Sequence, residues 1–378
     1  MSQTRSNIDW PVFLSVVALM LFSIAFVYSA SASFAGMRMG STEKLFLNHC
    51  LRIGIAFVLM IAVTKIDYHH LREYSKPIMV AAIGCLIYVL IMGDKVKGAS
   101  RWITFGFIRF QPSELAKFAL IIHLAWMLSK RSRDVSESLK GMIAPLSWTL
   151  GICGLIALQP NMSTSLVIFF LSFMLIILSG ARMRYVLMTG GIGLVVGAIA
   201  TLGASYRVQR LLAFIDDSSG PMNAVKYQSY QALIAFGNGG VFGVGPGRSQ
   251  QREGFLPEPY GDFIFSIVGE EYGYVGVIAI LSVFAVLLVR GVRIARRAPD
   301  DFGYYLACGI TLTLACYAFV NAGVNCGLLP TTGLPMPFIS YGGTSVIFSA
   351  MAVGVLLNIS KQAVPIHTPT VSADTQAS

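Results

Sequence analysis

The sequence predicts an all-α polytopic membrane protein, and three observations predict it. Of 378 residues, 55% are hydrophobic and 12% are charged, where an ordinary soluble domain carries about 25% charged residues. The apolar residues gather into runs that approach the roughly 20 residues a helix needs to cross a bilayer. The basic excess, 28 Lys and Arg over 18 Asp and Glu, sits on a chain with little room for charge, which suits anionic lipid and excludes nucleic acid as a partner. Six cysteines, Cys50, Cys85, Cys153, Cys308, Cys316 and Cys326, lie in or beside the apolar stretches and form no C-x-x-C. They signal neither a zinc site nor a redox pair and read as small packing residues.

Ten runs qualify as spans: 10–28, 46–63, 77–92, 113–128, 142–158, 162–178, 185–204, 263–288, 304–324 and 342–359. The first follows Arg5 and precedes an A-x-A-like Ala30-Ser31-Ala32. Its apolar run exceeds the roughly 7–15 residues of a signal core, so it reads as an uncleaved anchor. An even number of spans puts both termini on one side. Placing them in the cytoplasm leaves 15 Lys and Arg inside, 11 outside and two, Arg52 and Lys117, within spans, which follows the positive-inside rule by a modest margin. The basic external stretch from Lys95 to Arg109 opposes that margin and asks for an anionic ligand on the outer face. No internal repeat of the transporter kind is visible. Residues 1–363 form a single membrane domain with one large external loop, 205–262, between spans seven and eight; 364–378, rich in Thr, Ser and Ala, reads as a disordered cytoplasmic tail.

Ionisable residues within spans are functional candidates by default. Arg52 lies in span two, Glu114 and Lys117 in span four, Glu270 and Glu271 in span eight. Glu114 and Lys117 are three residues apart and can pair on one helix face. Two readings are open: a self-neutralising structural pair with Arg52 snorkelling to an interface, or a polar cavity opening outwards. The glycine-rich run from Phe236 to Gly247 lacks the Gly-Lys-Ser/Thr of a phosphate loop and reads as a flexible loop. Asp262 opens span eight, where the helix dipole favours an ionised carboxylate; a simple helix cap is the alternative. Pro330, Pro335 and Pro337 forbid a continuous helix before span ten, so that segment is irregular backbone packed against the bundle. At Ser340 and residues 341–345, unpaired N–H groups can receive a phosphate, or Ser340 or Thr344 caps the helix.

Five ordered motifs carry a resemblance: Val96-Lys-Gly-Ala-Ser-Arg-Trp-Ile103, Phe110-Gln-Pro-Ser-Glu-Leu-Ala-Lys117, Leu256-Pro-Glu258, Asp262-Phe-Ile-Phe-Ser-Ile-Val-Gly-Glu-Glu271 and Pro337-Phe-Ile-Ser-Tyr-Gly-Gly343. Together, over residues 9–359, the chain resembles the SEDS proteins, named for shape, elongation, division and sporulation. The resemblance implies a peptidoglycan glycosyltransferase that polymerises lipid II on the outer face of the bacterial cytoplasmic membrane. It implies that Asp262 is the essential acid and that Arg52, Glu114 and Lys117 line the central cavity. It also implies partners: a class B penicillin-binding protein acting as transpeptidase, and other membrane proteins of the division complex. Tyr28-Ser-Ala-Ser31, Val96-Lys-Gly-Ala-Ser-Arg101, Tyr206-Arg-Val-Gln-Arg210 and Gly269-Glu-Glu-Tyr-Gly-Tyr-Val-Gly276 resemble the division branch (FtsW-type) more than the elongation branch (RodA-type). One position departs from the family: Gln159-Pro-Asn-Met-Ser-Thr164 has Asn161 where a carboxylate is expected.

Such a reaction needs a base for the attacking sugar hydroxyl and positive charge for the leaving pyrophosphate. Asp262 is the candidate base. Arg101, Arg52 and Lys117 are candidates to neutralise the pyrophosphate, and Glu258 to orient the acceptor. No dedicated metal cage is visible, although Mg²⁺ can bind through one or two carboxylates and substrate phosphates. A lipid flippase would use the same cavity without an acid at the mouth of span eight; a structural division scaffold would need neither.

Overall fold

The computed structural model describes residues 8–39, 43–96, 99–105, 108–203, 208, 210, 214 and 224–363. Arg5, Lys97, Arg207, most of the Tyr206–Arg210 motif and the tail at 364–378 lie outside the described residues. Helices α1 (Trp10–Met39) and α2 (Glu43–Lys65) are followed by a short α3 (His69–Glu73) and α4 (Ser75–Met92). Strands β1 (Asp94–Val96), β2 (Ala99–Phe105) and β3 (Ile108–Phe110) precede α5 (Pro112–Glu137), α6 (Leu139–Leu158), α7 (Met162–Leu178) and α8 (Met183–Leu202). Then come α9 (Ala224–Gly239), α10 (Ile264–Arg296), α11 (Asp301–Asn325) and α12 (Gly343–Lys361).

Each of the ten apolar runs falls on a helix. Among the described residues seven helices are long and apolar enough to cross a membrane: α1, α2, α4, α6, α10, α11 and α12. The apolar parts of α7 and α8 are shorter, and α5 carries Glu114 and Lys117 in its first two turns. Local chemistry sets the starts. Pro112 opens α5, where its missing N–H costs no helical bond. Ser138 caps α6 by accepting from the Gly141 N–H at 3.1 Å, and Asp300 caps α11 by accepting from Gly303 at 3.0 Å.

The chain is mostly helical as expected, and the basic stretch before α5 carries one small addition: β1, β2 and β3 form a three-stranded antiparallel sheet in sequential order. Asp94 pairs with Trp102, and Ile103 with Phe110. The β-branched and aromatic residues of Arg101-Trp-Ile-Thr-Phe105 favour strand, and the sheet satisfies backbone groups locally. The segment 205–262 is likewise structured in part, with α9 and a 3₁₀ turn at Gln251–Glu253.

Helices α11 and α12 form the centre, 72% and 78% buried, whereas α2 and α4 are 22% and 28% buried and turn side chains such as Val58 and Val80 outwards. The start of α1 and the end of α12 meet at one end of the bundle. The Asp9 carboxylate accepts two charged bonds from Arg290, Nε at 3.1 Å and a terminal nitrogen at 2.7 Å. The Asp9 N–H donates to Ser360 Oγ at 3.2 Å. At that same end Tyr68 donates its N–H to Asn358 Oδ1 (3.0 Å) and its hydroxyl to Asp300 (2.6 Å). Burial, with Asp300 adding, holds the Tyr68 phenol well above its ordinary range.

At the other end the glycine-rich run does something the sequence did not predict. Helix α10 breaks at Gly273, whose φ of 65° and ψ of −163° are open to glycine alone. The break separates the carbonyls of Glu270 and Glu271 from the N–H groups of Tyr274 and Val275, which an unbroken helix would pair. The loop replaces both bonds. Val244 and Gly245 donate to the two carbonyls at 3.0 Å each, and Gly240 and Val241 accept from the two N–H groups at 2.9 and 3.2 Å. The Glu270 carboxylate draws in the same segment, accepting from Asn238 Nδ2 (3.1 Å), the Gln250 and Gln251 N–H groups (3.3 and 3.2 Å) and the Ser249 hydroxyl. Glu271 accepts from Ser29 of α1, and Arg252 bonds the same serine at 3.2 Å. These two carboxylates therefore anchor the segment before α10.

This clasp carries a prediction. Gly243 lies at φ +80°, and a Cβ there would stand 2.2 Å from the Glu271 carbonyl oxygen. We expect Gly243→Ala to destabilise by about 1–3 kcal/mol. Gly237→Ala, where a Cβ meets nothing within 4 Å, should be neutral or stabilising by up to about 1 kcal/mol. Thermal unfolding of the two purified variants checks this; equal melting would show that the clasp contributes nothing.

Candidate functional site

Asp262 belongs to the turn that enters α10, and the helix cap is Phe263, without a side-chain bond. What anchors the residue is its backbone. Its carbonyl accepts from Asn321 Nδ2 at 2.8 Å and Asn325 Nδ2 at 3.0 Å, both on α11. Asn325 Oδ1 receives the Ser266 N–H at 3.2 Å, and Asn321 Nδ2 also donates to the Leu334 carbonyl at 2.7 Å. Two buried amides one turn apart thus tie the entrance of α10 to the irregular segment before α12. The half-buried Asp262 carboxylate faces Gly333 of that segment, where a Cβ would lie 3.4 Å from Oδ2. Glu258, exposed and at φ 52°, begins the turn, its carbonyl accepting from the Gly261 N–H at 3.0 Å.

Arg52 reaches the start of α12. Its guanidinium lies 4.8 Å from the centre of the Tyr341 ring and 3.1 Å from where a Cβ on Gly343 would be, so a side chain at 343 would crowd the cation. Tyr341 donates its N–H to the Tyr260 carbonyl at 2.9 Å, and the two rings meet edge to face at 5.5 Å. His49 joins the same aromatic cluster, its ring 5.7 Å from that of Tyr341. Among the described residues Arg52 has no carboxylate partner.

Neither capping reading for α12 survives. The Ser340 hydroxyl accepts from the Met336 N–H at 2.8 Å and closes a buried turn. Thr344 accepts from the Gln111 N–H (3.2 Å) and donates to the Arg109 carbonyl (3.0 Å), joining α12 to the entrance of α5. Glu114 and Lys117 do pair, Nζ to Oε2 at 2.8 Å, with side chains only 4% and 2% exposed. The ammonium also sits 4.0 Å above the Tyr317 ring. Tyr317 is one turn from Asn321 and packs with Leu334, so the ion pair connects through α11 to the backbone that positions Asp262. Arg101 stands at the α6–α7 turn, donating to the Gln159 and Pro160 carbonyls beside buried Asn161. Among the described residues no group of three or more His, Cys, Asp or Glu could hold a metal.

Residues 10–364 match the FtsW, RodA and SpoVE family, described as cell cycle proteins. The chain belongs to that family. It is 40% identical over 358 residues to the probable peptidoglycan glycosyltransferase FtsW of Geobacter metallireducens, covering 93% of this chain and 94% of that one. It is 37% identical over 363 residues to stage V sporulation protein E of Bacillus subtilis, covering 96% and 99%. The fold superposes, with a TM-score of 0.78 and 27% identity over 94% of this chain and 98% of the other, on a chain from a study of how a peptidoglycan synthase complex coordinates polymerization and crosslinking. The chain's helices are therefore those of a polytopic membrane protein of the FtsW, RodA and SpoVE family. Sequence reasoning missed Tyr260, Asn321 and Asn325 at the site. The two asparagines were detectable, since amides in an apolar span require partners.

Proposed function

We propose that this chain is a peptidoglycan glycosyltransferase that polymerises lipid II on the outer face of the bacterial cytoplasmic membrane, for septal wall synthesis, with Asp262 as general base. Kinship over nearly the whole chain with proteins named for that activity supports the enzyme class. For the site, the supporting observation is that Asp262 is a half-buried carboxylate in a turn whose backbone is fixed by Asn321 and Asn325, in a bundle whose Arg52 has no carboxylate partner among the described residues. Ten crossings with both termini cytoplasmic put this end outside. The opposite end, where Asp9 meets Arg290, carries Lys65, Arg72, Arg293 and Lys361 and suits the cytoplasm.

In the reaction the acceptor hydroxyl gives its proton to Asp262 as its oxygen bonds the anomeric carbon. The carbon–oxygen bond to the lipid pyrophosphate breaks on the opposite face, its electron pair leaving with the pyrophosphate, so the centre inverts. Arg52 neutralises the leaving group with a planar fork of donors; Lys117, already matched by Glu114, adds less net charge. Glu258 orients the acceptor, Arg101 holds the α6–α7 turn and contributes positive field, and Ser340 keeps the backbone before α12 in place. Glu258 is a hard oxygen donor of the kind that, with substrate phosphates, holds Mg²⁺; such an ion would supply further charge at the pyrophosphate. The partner is a class B penicillin-binding protein that cross-links the product. Labelled lipid II incubated with the purified protein, with and without that transpeptidase, should yield glycan strands; transfer of lipid II across vesicles without strands would favour a flippase and defeat the proposal.

Asn161 supplies a narrower prediction. It occupies the cap position of α7 without a side-chain bond, where a carboxylate is well suited. Asn161→Asp should therefore fold normally. The added negative charge near a pyrophosphate site should weaken lipid II binding a few-fold under chelation and less with Mg²⁺. Tighter binding of the variant under chelation would reverse this picture of the charges.

A further inference from the structure

At the end of the bundle opposite Asp262, an open groove of about 470 Å³ lies between α3, the start of α4 and the last turns of α5. Its cations are Arg72, Lys76 and Lys130. Lys76 comes from α4 and Lys130 from α5, yet both ammoniums converge on one ring, 5.3 and 5.0 Å from the centre of Trp126. Cation–π attraction offsets part of the cost of holding them together, but the like charges still repel. Among the described residues none of the three cations has a carboxylate partner. The groove's acid, Glu73, lies near His70 (4.0 Å), and its histidine, His69, is held by Asp67 (2.7 Å) and faces Asp300 (3.6 Å). The arrangement is a seat of three cations and one acid, with two of the cations gathered on Trp126.

The level of the groove identifies the class of anion. The apolar span Ser75–Met92 begins at its rim, and a second groove of about 650 Å³, lined by Ile66, Leu71, Pro77 and Ile78 among others, borders the same turn. Tryptophan with flanking lysines is the side-chain set of the membrane–water interface, and basic pockets between spans on the cytoplasmic side suit lipid head groups. We infer that the Arg72, Lys76, Trp126 and Lys130 groove binds the phosphodiester head group of an anionic glycerophospholipid of the cytoplasmic leaflet. This goes beyond the polymerase reading and rests on it only for the choice of leaflet; the binding itself is testable whether or not the protein polymerises anything.

The test is native mass spectrometry of the purified full chain in detergent, with phosphatidylglycerol and phosphatidylcholine competing at equal concentration. The wild type should retain phosphatidylglycerol preferentially. Lys76→Met with Lys130→Met should reduce its retention roughly thirty-fold, at about fivefold for each basic residue near a membrane surface, while phosphatidylcholine retention and melting temperature stay unchanged. Both lysines are exposed, so the double variant keeps its fold. Arg182→Gln with Arg184→Gln removes two exposed charges elsewhere on the cytoplasmic side and should leave the preference intact. Equal losses in the two double variants would reduce the effect to overall charge and overturn the inference. So would displacement of the lipid by millimolar inorganic phosphate, which would identify a free-phosphate site.

Discussion

Asp262→Asn is expected to abolish lipid II polymerisation while leaving the fold intact. Removing a general base costs typically 10²–10⁴-fold in rate, and the isosteric amide cannot take the hydroxyl proton. The fold should tolerate the change because Asn321 and Asn325 hold Asp262 by its carbonyl oxygen, at 2.8 and 3.0 Å, which the substitution leaves in place. Asn321→Ala makes the opposite case. It deletes three hydrogen bonds, those donated to the Asp262 and Leu334 carbonyls and the one accepted from Asn325, and should lower the melting temperature as well as the rate. Strand synthesis by the purified Asp262→Asn protein at the wild-type rate would exclude Asp262 as the base.

The division between what the sequence disclosed and what it hid has physical causes. A span must satisfy all its backbone hydrogen bonds internally, so the ten apolar runs announce helices, and all ten runs are helical. The sheet at 94–110 was hidden because it follows no long hydrophobic period; only its β-branched and aromatic content hinted at strand. Glu270 and Glu271 drew attention as intramembrane acids, but their surroundings are the N–H groups and hydroxyls of residues 238–251 and Ser29. Those contacts depend on a break at Gly273 that helical periodicity cannot reveal. Asp262, Arg52 and the Glu114–Lys117 pair were legible because each puts charge where burial is expensive. The junction between segments, Tyr341 on Tyr260 and α11 on the Asp262 carbonyl, consists of bonds to main-chain carbonyls 59 or more residues away and leaves little trace in any one segment.

Glu114 and Lys117 should show strong energetic coupling. The pair is nearly inaccessible, with 2.8 Å between Nζ and Oε2, and withdrawing one partner strands a charge away from water. Each of Glu114→Gln and Lys117→Met is therefore expected to destabilise by about 3–5 kcal/mol, whereas removing both together costs much less. Lys117→Met has the added merit of filling the space above Tyr317 with a flexible apolar chain. The double variant should thus melt above either single variant. Activity separates the structural role from a chemical one. If the pair only braces α5 against α11, polymerisation should return with stability in the double variant; if the Lys117 charge also acts on the pyrophosphate, the double variant should be stable yet slow. Melting losses that simply add across the cycle would mean that the two side chains do not act on each other.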